Sequence, residues 1–477
     1  MYNISLKMIS YGKIKDLYSK LPSWTKIPLG WITIFIPIQY LYGKGFREFY
    51  NLSLKSQYWT REQIIANQEK LLRKLMIHAY KNVPYYAKLF VKLKLKPSAI
   101  RTVGDLYKLP TLTKEDIRNN FQDLRANNIK FFKASLASTS GSTGKKLSFY
   151  IDQQNREKEY ALVQRQLNIF NIKLNVKTAN FRGDFVNLFD KKSSKKWGYN
   201  PIKKEMLFST YNLDPETISE YVKVLQDFKP SLVKGYPSAI FIIAKSINKN
   251  NLKPPIVKGI LTSSEMLTYE MRDEIDKAFN SKIIDWYGAS EYSISAGQCE
   301  KLNGFHFNED FSIVELLDRN DKPIKPGEIG RIISTSLFNY SMPLIRYEQE
   351  DLAVLSKNRC SCGRNLTFID RIGGRVADVL FASDGREISH SAYLHFWKHR
   401  IDSQISGIEY SQTIQKEKNL FEIHLVLDHN CDNDMITDTI SKYVKKLTGS
   451  DSKIQFKIFE NMPTNEKWRF IKNEWKK

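Results

Sequence analysis

The sequence predicts an α/β protein: a large body of parallel-rich sheet covered by helices, followed by a small C-terminal α+β domain on a hinge. Two patterns in the residues carry the first part. Short apolar runs at 231–234, 257–261 and 282–286 read as strands, and the stretches 214–227, 237–249 and 267–279 between and around them carry helical spacing. Strands that alternate with helices build a parallel sheet, because a parallel crossover needs a long return connection. The chain's 477 residues, 42% of them hydrophobic, can bury a large core and divide into at least two domains.

From the start, the first 26 residues are dotted with lysines and show no compact apolar region ending in a cleavage site, so no secretory signal is expected. Residues 27–43 then hold 17 positions without a charge, between Lys26 and Lys44. A spanning helix needs about 20 such residues, and Pro28, Gly30 and Pro37 interrupt this one. Trp31, Tyr40 and Tyr42 beside lysines suit a bilayer interface, while a strap packed on the large body is the other reading. A cytoplasmic protein with an optional peripheral membrane contact is expected. Residues 60–80 carry Ile64, Ile65, Leu71, Leu72, Leu75 and Met76 at amphipathic-helix spacing, and Thr113 with Asp116 three positions on marks another helix start.

The run Ser138 to Lys146, Ser-Thr-Ser-Gly-Ser-Thr-Gly-Lys-Lys, lies between Phe131-Phe132 and residues 147–151, which both read as strands, so a hairpin loop is expected. Small residues let backbone N–H groups approach a phosphate, hydroxyls add donors and lysine adds charge. It is not a Walker A loop, because Gly141 and Gly144 are separated by two residues and Lys146, not a hydroxyl, follows Lys145. Ser140, Gly141, Ser142, Thr143, Gly144 and Lys145 are the candidate phosphate grip; a flexible Ser/Gly turn is the plain alternative.

The formal net charge is +23, yet the lysines are spread along the chain among acids, and no recognition-helix, finger or RNA-binding signature is present. A nucleic-acid function is not expected. The basic balance favours nucleotide phosphates, CoA or anionic lipid instead.

Downstream of the Ser/Gly run stand Tyr287-Gly288-Ala289-Ser290-Glu291, then Arg346-Tyr347 with Asp351, then Gly374-Arg375-Val376-Ala377-Asp378, and near the end Pro463-Thr464-Asn465-Glu466-Lys467. These resemble, in order, the Tyr-Gly-x-Ser/Thr-Glu motif, the aromatic-x3-Asp motif, the hinge motif and the C-terminal catalytic lysine of adenylate-forming ligases. Asn82-Val83-Pro84-Tyr85-Tyr86, Leu109-Pro110-Thr111-Leu112-Thr113-Lys114 and Gly235-Tyr236-Pro237-Ser238 resemble phrases of the phenylacetate–CoA ligase-like branch, particularly its capsular-polysaccharide-biosynthesis members. The resemblance covers nearly everything from about residue 51.

It implies an N-terminal segment 1–50, a large adenylate-forming domain 51–375 and a small mobile domain 376–477. It also implies roles. Tyr287 would stack on adenine, with Gly288 and Ser290 beside the nucleotide. Glu291 would help hold Mg²⁺, and Asp351 would accept hydrogen bonds from the ribose diol, a task suited to a carboxylate. Arg375 is implied at the hinge, and Lys467 between substrate carboxylate and phosphate. One departure stands out: Glu466 occupies the position where a glycine usually precedes that lysine.

Only four cysteines occur, too few for a disulfide framework in a chain of this size. Cys299 and His306, with the close pair Cys360 and Cys362, offer three thiolates and an imidazole, a tetrahedral zinc set. Members of the resembled branch carry a similar arrangement, which points to structural zinc; buried free thiols beside an ordinary histidine are the alternative. Cys431 is read as uninvolved, and His390, His395 and His399 as surface or packing histidines.

The implied activity is an AMP-forming ligase that makes an acyl-adenylate from ATP and a small carboxylic acid. The acyl group then passes to CoA or to an amine or hydroxyl acceptor, in surface-polysaccharide biosynthesis. The alternative is a non-catalytic scaffold homologue of the same pathway.

Overall fold

The computed structural model describes residues 42–139, 147–182, 196–210, 213–373, 380–388, 393, 396–402, 404–428, 431–460 and 470–475. Ser140 to Lys145, Arg375, Lys467 with Glu466, His390, His395 and residues 27–41 of the apolar stretch lie outside them.

Helix α1 (Lys44–Ser56) opens the described chain, and it packs on α5 (Gln153–Ile169). Phe46 and Phe49 enter the same core as Ala161, Leu162 and Trp286. Each such aromatic contributes about 1.5–3 kcal/mol by leaving water. Gly43 stands at φ 100°, and a Cβ there would lie 2.2 Å from the Glu157 carboxylate. Glu157 accepts the Gly45 N–H at 2.8 Å, so the helix start is held by a side chain of α5.

The expected helices form where their signals stand. Thr60 and Gln63 make a capping box at the start of α2 (Arg61–Asn82), which buries Leu72, Leu75 and Met76. α3 (Pro84–Lys92) starts on a proline, whose missing N–H costs nothing at that position. Thr113 and Asp116 cap α4 (Lys114–Asn119) as the sequence predicts. Asp214 caps α6 (Pro215–Phe228), α7 (Pro237–Lys249) follows, and Thr268 caps α8 (Tyr269–Phe279).

The hairpin at the Ser/Gly run is present: β1 (Ser135–Thr139) pairs antiparallel with β2 (Leu147–Ile151). Phe131-Phe132 are not its strand, however; they close a 3-10 turn, Ile129–Phe132, ended by Lys133 at φ 47°. Phe132 turns inward to stack near Tyr340, whereas Phe131 is 73% exposed, so no alternating strand face exists there.

The large sheet has twelve strands: β3 (Thr178–Phe181), β4 (Trp197–Asn200), β5 (Glu205–Phe208), β6 (Leu232–Gly235), β7 (Gly259–Ser263), β8 (Ile283–Gly288), β9 (Ser295–Gly297), β10 (Phe305–Phe307), β11 (Ser312–Leu317), β12 (Ile329–Ser336), β13 (Tyr347–Leu355) and β14 (Phe368–Gly373). Their order is β11-β12-β13-β14-β10-β9-β8-β7-β6-β3-β5-β4. Pairing is parallel across β5-β3-β6-β7-β8 and antiparallel elsewhere. The helix alternation legible in the sequence covers β6, β7 and β8 of that parallel part, while β3 and β5 join it without such a signal. β7 starts at Gly259, two residues later than the apolar run at 257. Gly235 is required on β6, since a Cβ there would lie 2.5 Å from the Phe181 carbonyl of neighbouring β3.

The second unit pairs β15 (Leu380–Phe381) with β16 (Glu387–Ile388) and builds a sheet of order β19-β18-β17-β20. Its strands are β17 (Ile408–Glu417), β18 (Leu420–Leu427), β19 (Lys453–Phe459) and β20 (Ile471–Asn473), covered by α9 (Asn433–Thr448). Among the described residues its core runs from Leu380 to Ile471 and draws none from the large body. Among the described residues no helix is long and apolar enough to cross a membrane.

Candidate functional site

The Tyr-Gly motif begins inside β8 rather than after it: Tyr287 and Gly288 are the strand's last two residues, and the chain then turns through Ser290 and Glu291. Tyr292 completes the turn at φ 55°. This is the carboxyl end of a parallel strand, where open α/β sheets bind ligands.

Tyr287 donates its hydroxyl to Asp351 Oδ2 at 2.9 Å, and Tyr347 donates to Glu291 Oε1 at 2.9 Å. Asp351 and Tyr347 lie on β13, which is four pairings away from β8 in the sheet order. A flat sheet would hold those strands ~19 Å apart, at ~4.8 Å per step. The side chains meet because the antiparallel half curls back, with register shifts at Arg331/Ile333 and Val354/Leu355. The two motifs therefore face each other across a concave surface.

Glu291 is buried, and burial pushes its carboxyl above the ordinary glutamate range against the pull of Lys114 and the Tyr347 hydrogen bond. Burial, reinforced by the neighbouring acids, likewise holds the Tyr287 and Tyr347 phenols protonated, as donors. A carboxylate has about four acceptor sites, so Glu291 keeps capacity beyond its tyrosine. Magnesium typically takes one or two carboxylates plus substrate phosphates, and Glu291 fits that donor type.

Two of the three branch phrases turn out to position this pair. Leu112 donates to the Arg346 carbonyl at 2.8 Å, and its own carbonyl accepts Glu348 N–H at 3.0 Å, which pins residues 109–114 along the start of β13. Lys114 thereby reaches Glu350 at 2.9 Å as well as the field of Glu291. Tyr86 donates to the Pro343 carbonyl at 2.8 Å and accepts from Ile345 N–H at 3.1 Å. Asp152, just after β2, accepts the N–H groups of Tyr340 and Ser341 at 2.7 and 2.9 Å. Arg346 is held at φ 53° by Leu109 and a two-pronged contact with Glu315 at 3.0 and 3.1 Å. Gly235, in the third phrase, sets the close approach of β6 to β3.

A cavity of about 670 Å³ borders the Tyr-Gly turn, sharing Gly288, Ala289, Ser290 and Tyr292 with it. Glu159, Arg182, Lys203, Glu205 and Lys234 also line it. Sequence reasoning did not single these out. The one available signal was position, since Arg182 directly follows β3 and Lys234 precedes Gly235-Tyr236-Pro237.

Apart from this, Cys299, His306, Cys360 and Cys362 converge, with one ligand atom from each lying within 4.8 Å of all the others. Cys299 Sγ is 3.5 Å from Cys360 Sγ, and Cys362 Sγ is 3.4 Å from His306 Nε2. A tetrahedral ion with Zn–S near ~2.3 Å spaces its ligands at comparable edges. His306 is on β10 and Cys299 just after β9, while Gly363 at φ 79° turns the Cys-x-Cys loop toward them. Burial pushes the Cys299 thiol up to about 12 and the His306 imidazole down to about 4. Arg364 beside Cys362 bonds Gln57 at 3.0 Å and Glu300 at 2.8 Å, tying the loop to the end of α1. Its charge would balance three thiolates around a dication. Cys431 lies apart, its thiol directed at the Ser406 carbonyl.

Residues 380–474 match the family model for the CapK C-terminal domain. Protein CapK of Staphylococcus aureus is 27% identical over 405 residues, covering 83% of this chain and 86% of CapK. The phenylacetate–coenzyme A ligase of Thermus thermophilus is 26% identical over 326 residues, 67% of this chain and 72% of that one. The fold is that of a 2-hydroxyisobutyryl-CoA ligase solved with 2-HIB-AMP and CoA: TM-score 0.58 at 17% identity, over 88% of this chain and 93% of that one. Over most of its length the chain is therefore similar to CapK and to phenylacetate–CoA ligases, on the fold of a CoA ligase, with a C-terminal stretch that matches the CapK C-terminal domain.

Proposed function

We propose that the protein is an ATP-dependent, AMP-forming ligase that activates a carboxylic acid and passes the acyl group to CoA or to an amine or hydroxyl acceptor. The observation that carries this reading is the facing pair Tyr287–Asp351 and Glu291–Tyr347 at the carboxyl end of β8, beside a cavity large enough for an acid.

In the first half-reaction a carboxylate oxygen attacks the α-phosphorus of ATP, the bond to the bridging oxygen breaks, and pyrophosphate leaves. Two anions must meet, so cationic groups have to offset developing charge. Asp351 would release the Tyr287 hydroxyl and accept the ribose diol, freeing the Tyr287 ring to pack on the base. Glu291 would hold Mg²⁺, which supplies charge neutralisation on the leaving phosphates. Ser140, Ser142, Thr143 and Lys145 would grip the pyrophosphate side, and Lys467 would approach the attacking carboxylate, with Arg375 at the hinge. In the second half-reaction a thiol, amine or hydroxyl attacks the acyl carbon and AMP leaves. Zinc at Cys299, His306, Cys360 and Cys362 is assigned a structural part, since all four ligands come from the protein.

Calorimetry with Mg·ATP tests the nucleotide site without knowledge of the acid. Binding at millimolar ATP or better is expected, weakened about tenfold in Asp351→Ala, because ribose contacts exist in ground and transition states alike. A folded protein that binds no ATP would leave the scaffold reading, to which Glu466 is the one sequence pointer. We also propose a cytoplasmic location and a role in surface-polysaccharide synthesis, with membrane contact through the apolar stretch from residue 27 up to Tyr42, which itself packs against Phe46 and Tyr160 of the body. Removing residues 1–41 is expected to move the protein from sedimented membranes to the supernatant; unchanged partitioning would discard the contact.

A further inference from the structure

The cavity beside the Tyr-Gly turn sets a cluster of charged side chains into an apolar lining, and assigning it a substrate rests on the protein being the proposed ligase. Its volume of about 670 Å³ lies mid-range among small-molecule sites, which span about 300–1,000 Å³. Leu207, Leu261, Trp286 and the ring of Tyr160 supply carbon surface for a skeleton. Phe46, Val163, Leu167, Leu174 and Leu232 extend that apolar lining, and a group of charged side chains interrupts it.

Arg182, Lys203 and Lys234 line it against the carboxylates of Glu159 and Glu205, an excess of one cation, with exposed Lys173 at the rim. Lys234 and Glu205 form an ion pair between β6 and β5. Lys203 lies 6.0 Å from the centre of the Tyr160 ring, and Arg182 donates to Ser263 Oγ while lying 5.5 Å from the Tyr236 ring centre. Glu159 presses on the Tyr-Gly turn itself, since a Cβ added at Gly288 would lie 3.3 Å from its Oε1. Burial raises the Glu159 carboxyl to about 7, against the opposing field of Arg182 and Arg156. Asn180, on β3 in the same wall and buried, has an Oδ1 with no hydrogen-bond partner among the described residues.

An aryl or alkyl tail filling this space would strip water from these groups and return no hydrogen bond. Each unsatisfied polar group then costs about 1–3 kcal/mol, more where it is charged. An occupant with its own anion would meet the excess cation, and one with a hydroxyl could donate to Glu159.

We infer that the acid activated here is a hydroxy-dicarboxylic acid, with one carboxylate toward the Tyr-Gly turn and ATP and the second among Arg182, Lys203 and Lys234.

Acid-dependent exchange of labelled pyrophosphate into ATP tests this on the full-length protein with malate, tartrate and 2-hydroxyglutarate against phenylacetate and hexanoate. At least one hydroxy-dicarboxylate is expected to exceed both apolar acids tenfold or more in kcat/KM. Lys203→Met should then lower that value about tenfold, leave ATP affinity unchanged, and not lower exchange with phenylacetate. The inference is overturned if an apolar acid matches the best dicarboxylate, if none of the three dicarboxylates is turned over by protein that binds ATP, or if Lys203→Met is without effect. Loss of ATP binding in the unaltered protein is a different result, and it removes the ligase reading instead.

Discussion

Glu291→Ala is expected to slow acid-dependent pyrophosphate exchange by about 100-fold or more, the scale of losing one organised electrostatic contact to a transferring phosphoryl group. The reasoning is geometric. Glu291 sits at the turn after β8, buried, and takes one hydrogen bond from Tyr347 at 2.9 Å. Alanine removes the only carboxylate of the Tyr-Gly motif and leaves the Tyr347 hydroxyl without its acceptor. The pH dependence has a definite sign. Burial raises the Glu291 carboxyl above the ordinary value, so the group loses its charge at a higher pH than a free glutamate would. The acid limb of kcat/KM, which reports the free enzyme, should therefore lie above the usual carboxylate range. Tyr347→Phe should shift that limb further up, because the hydrogen bond from Tyr347 favours the ionised form. Exchange that proceeds normally in Glu291→Ala would remove this residue from the reaction.

Purified protein is expected to contain about one zinc per chain, and Cys360→Ser to lose most of it together with more than about 2 kcal/mol of stability, as lost metal ligands do. Cys360 is paired with Cys299 at 3.5 Å, on a loop fastened by Arg364 to Gln57 and Glu300. Releasing the ion would leave one buried and two half-buried thiols and a buried imidazole around a gap and free the segment before β14. Affinity should fall as pH falls, since protons compete for the thiolates and for His306. Cys431→Ser is the control, because its thiol lies in the second unit, and it should change neither zinc content nor melting temperature by much. Metal-free protein with unchanged stability would show that the cluster holds no ion.

Much of this protein is local and can be read along the chain. Thr113 with Asp116, Asp214 before Pro215 and Thr268 before α8 mark helix starts whose hydrogen bonds close within one turn. The alternation of strand and helix from 214 to 286 sets β6, β7 and β8 of the parallel half, because each element there answers to its own periodicity. The motif residues are legible for the same reason: Tyr287 to Glu291 and Tyr347 to Asp351 are short runs whose chemistry is carried by neighbouring positions. Phe131-Phe132 shows the limit of that reading, since two adjacent aromatics fit a strand or a tight turn equally well until Tyr340 supplies a partner for one of them.

Other features depend on contacts between distant segments. The antiparallel half of the sheet has no helix alternation to announce it, and its curl is what brings Asp351 to Tyr287 and Tyr347 to Glu291. The cavity wall is assembled from α5, β3, β5 and β6, so the charges of Glu159, Arg182, Lys203 and Lys234 acquire a common meaning only once parallel pairing sets those strands side by side. Cys299 and Cys360 are 61 residues apart and meet because β10 pairs with both β9 and β14. Residue order along the chain picks out Tyr287, Glu291 and Asp351 by their motifs, but not Glu159, Arg182, Lys203 or Lys234. Strand order and sheet curvature decide which of them share a site, because Tyr287 and Asp351, or Cys299 and Cys360, meet through the pairing of the strands that carry or flank them.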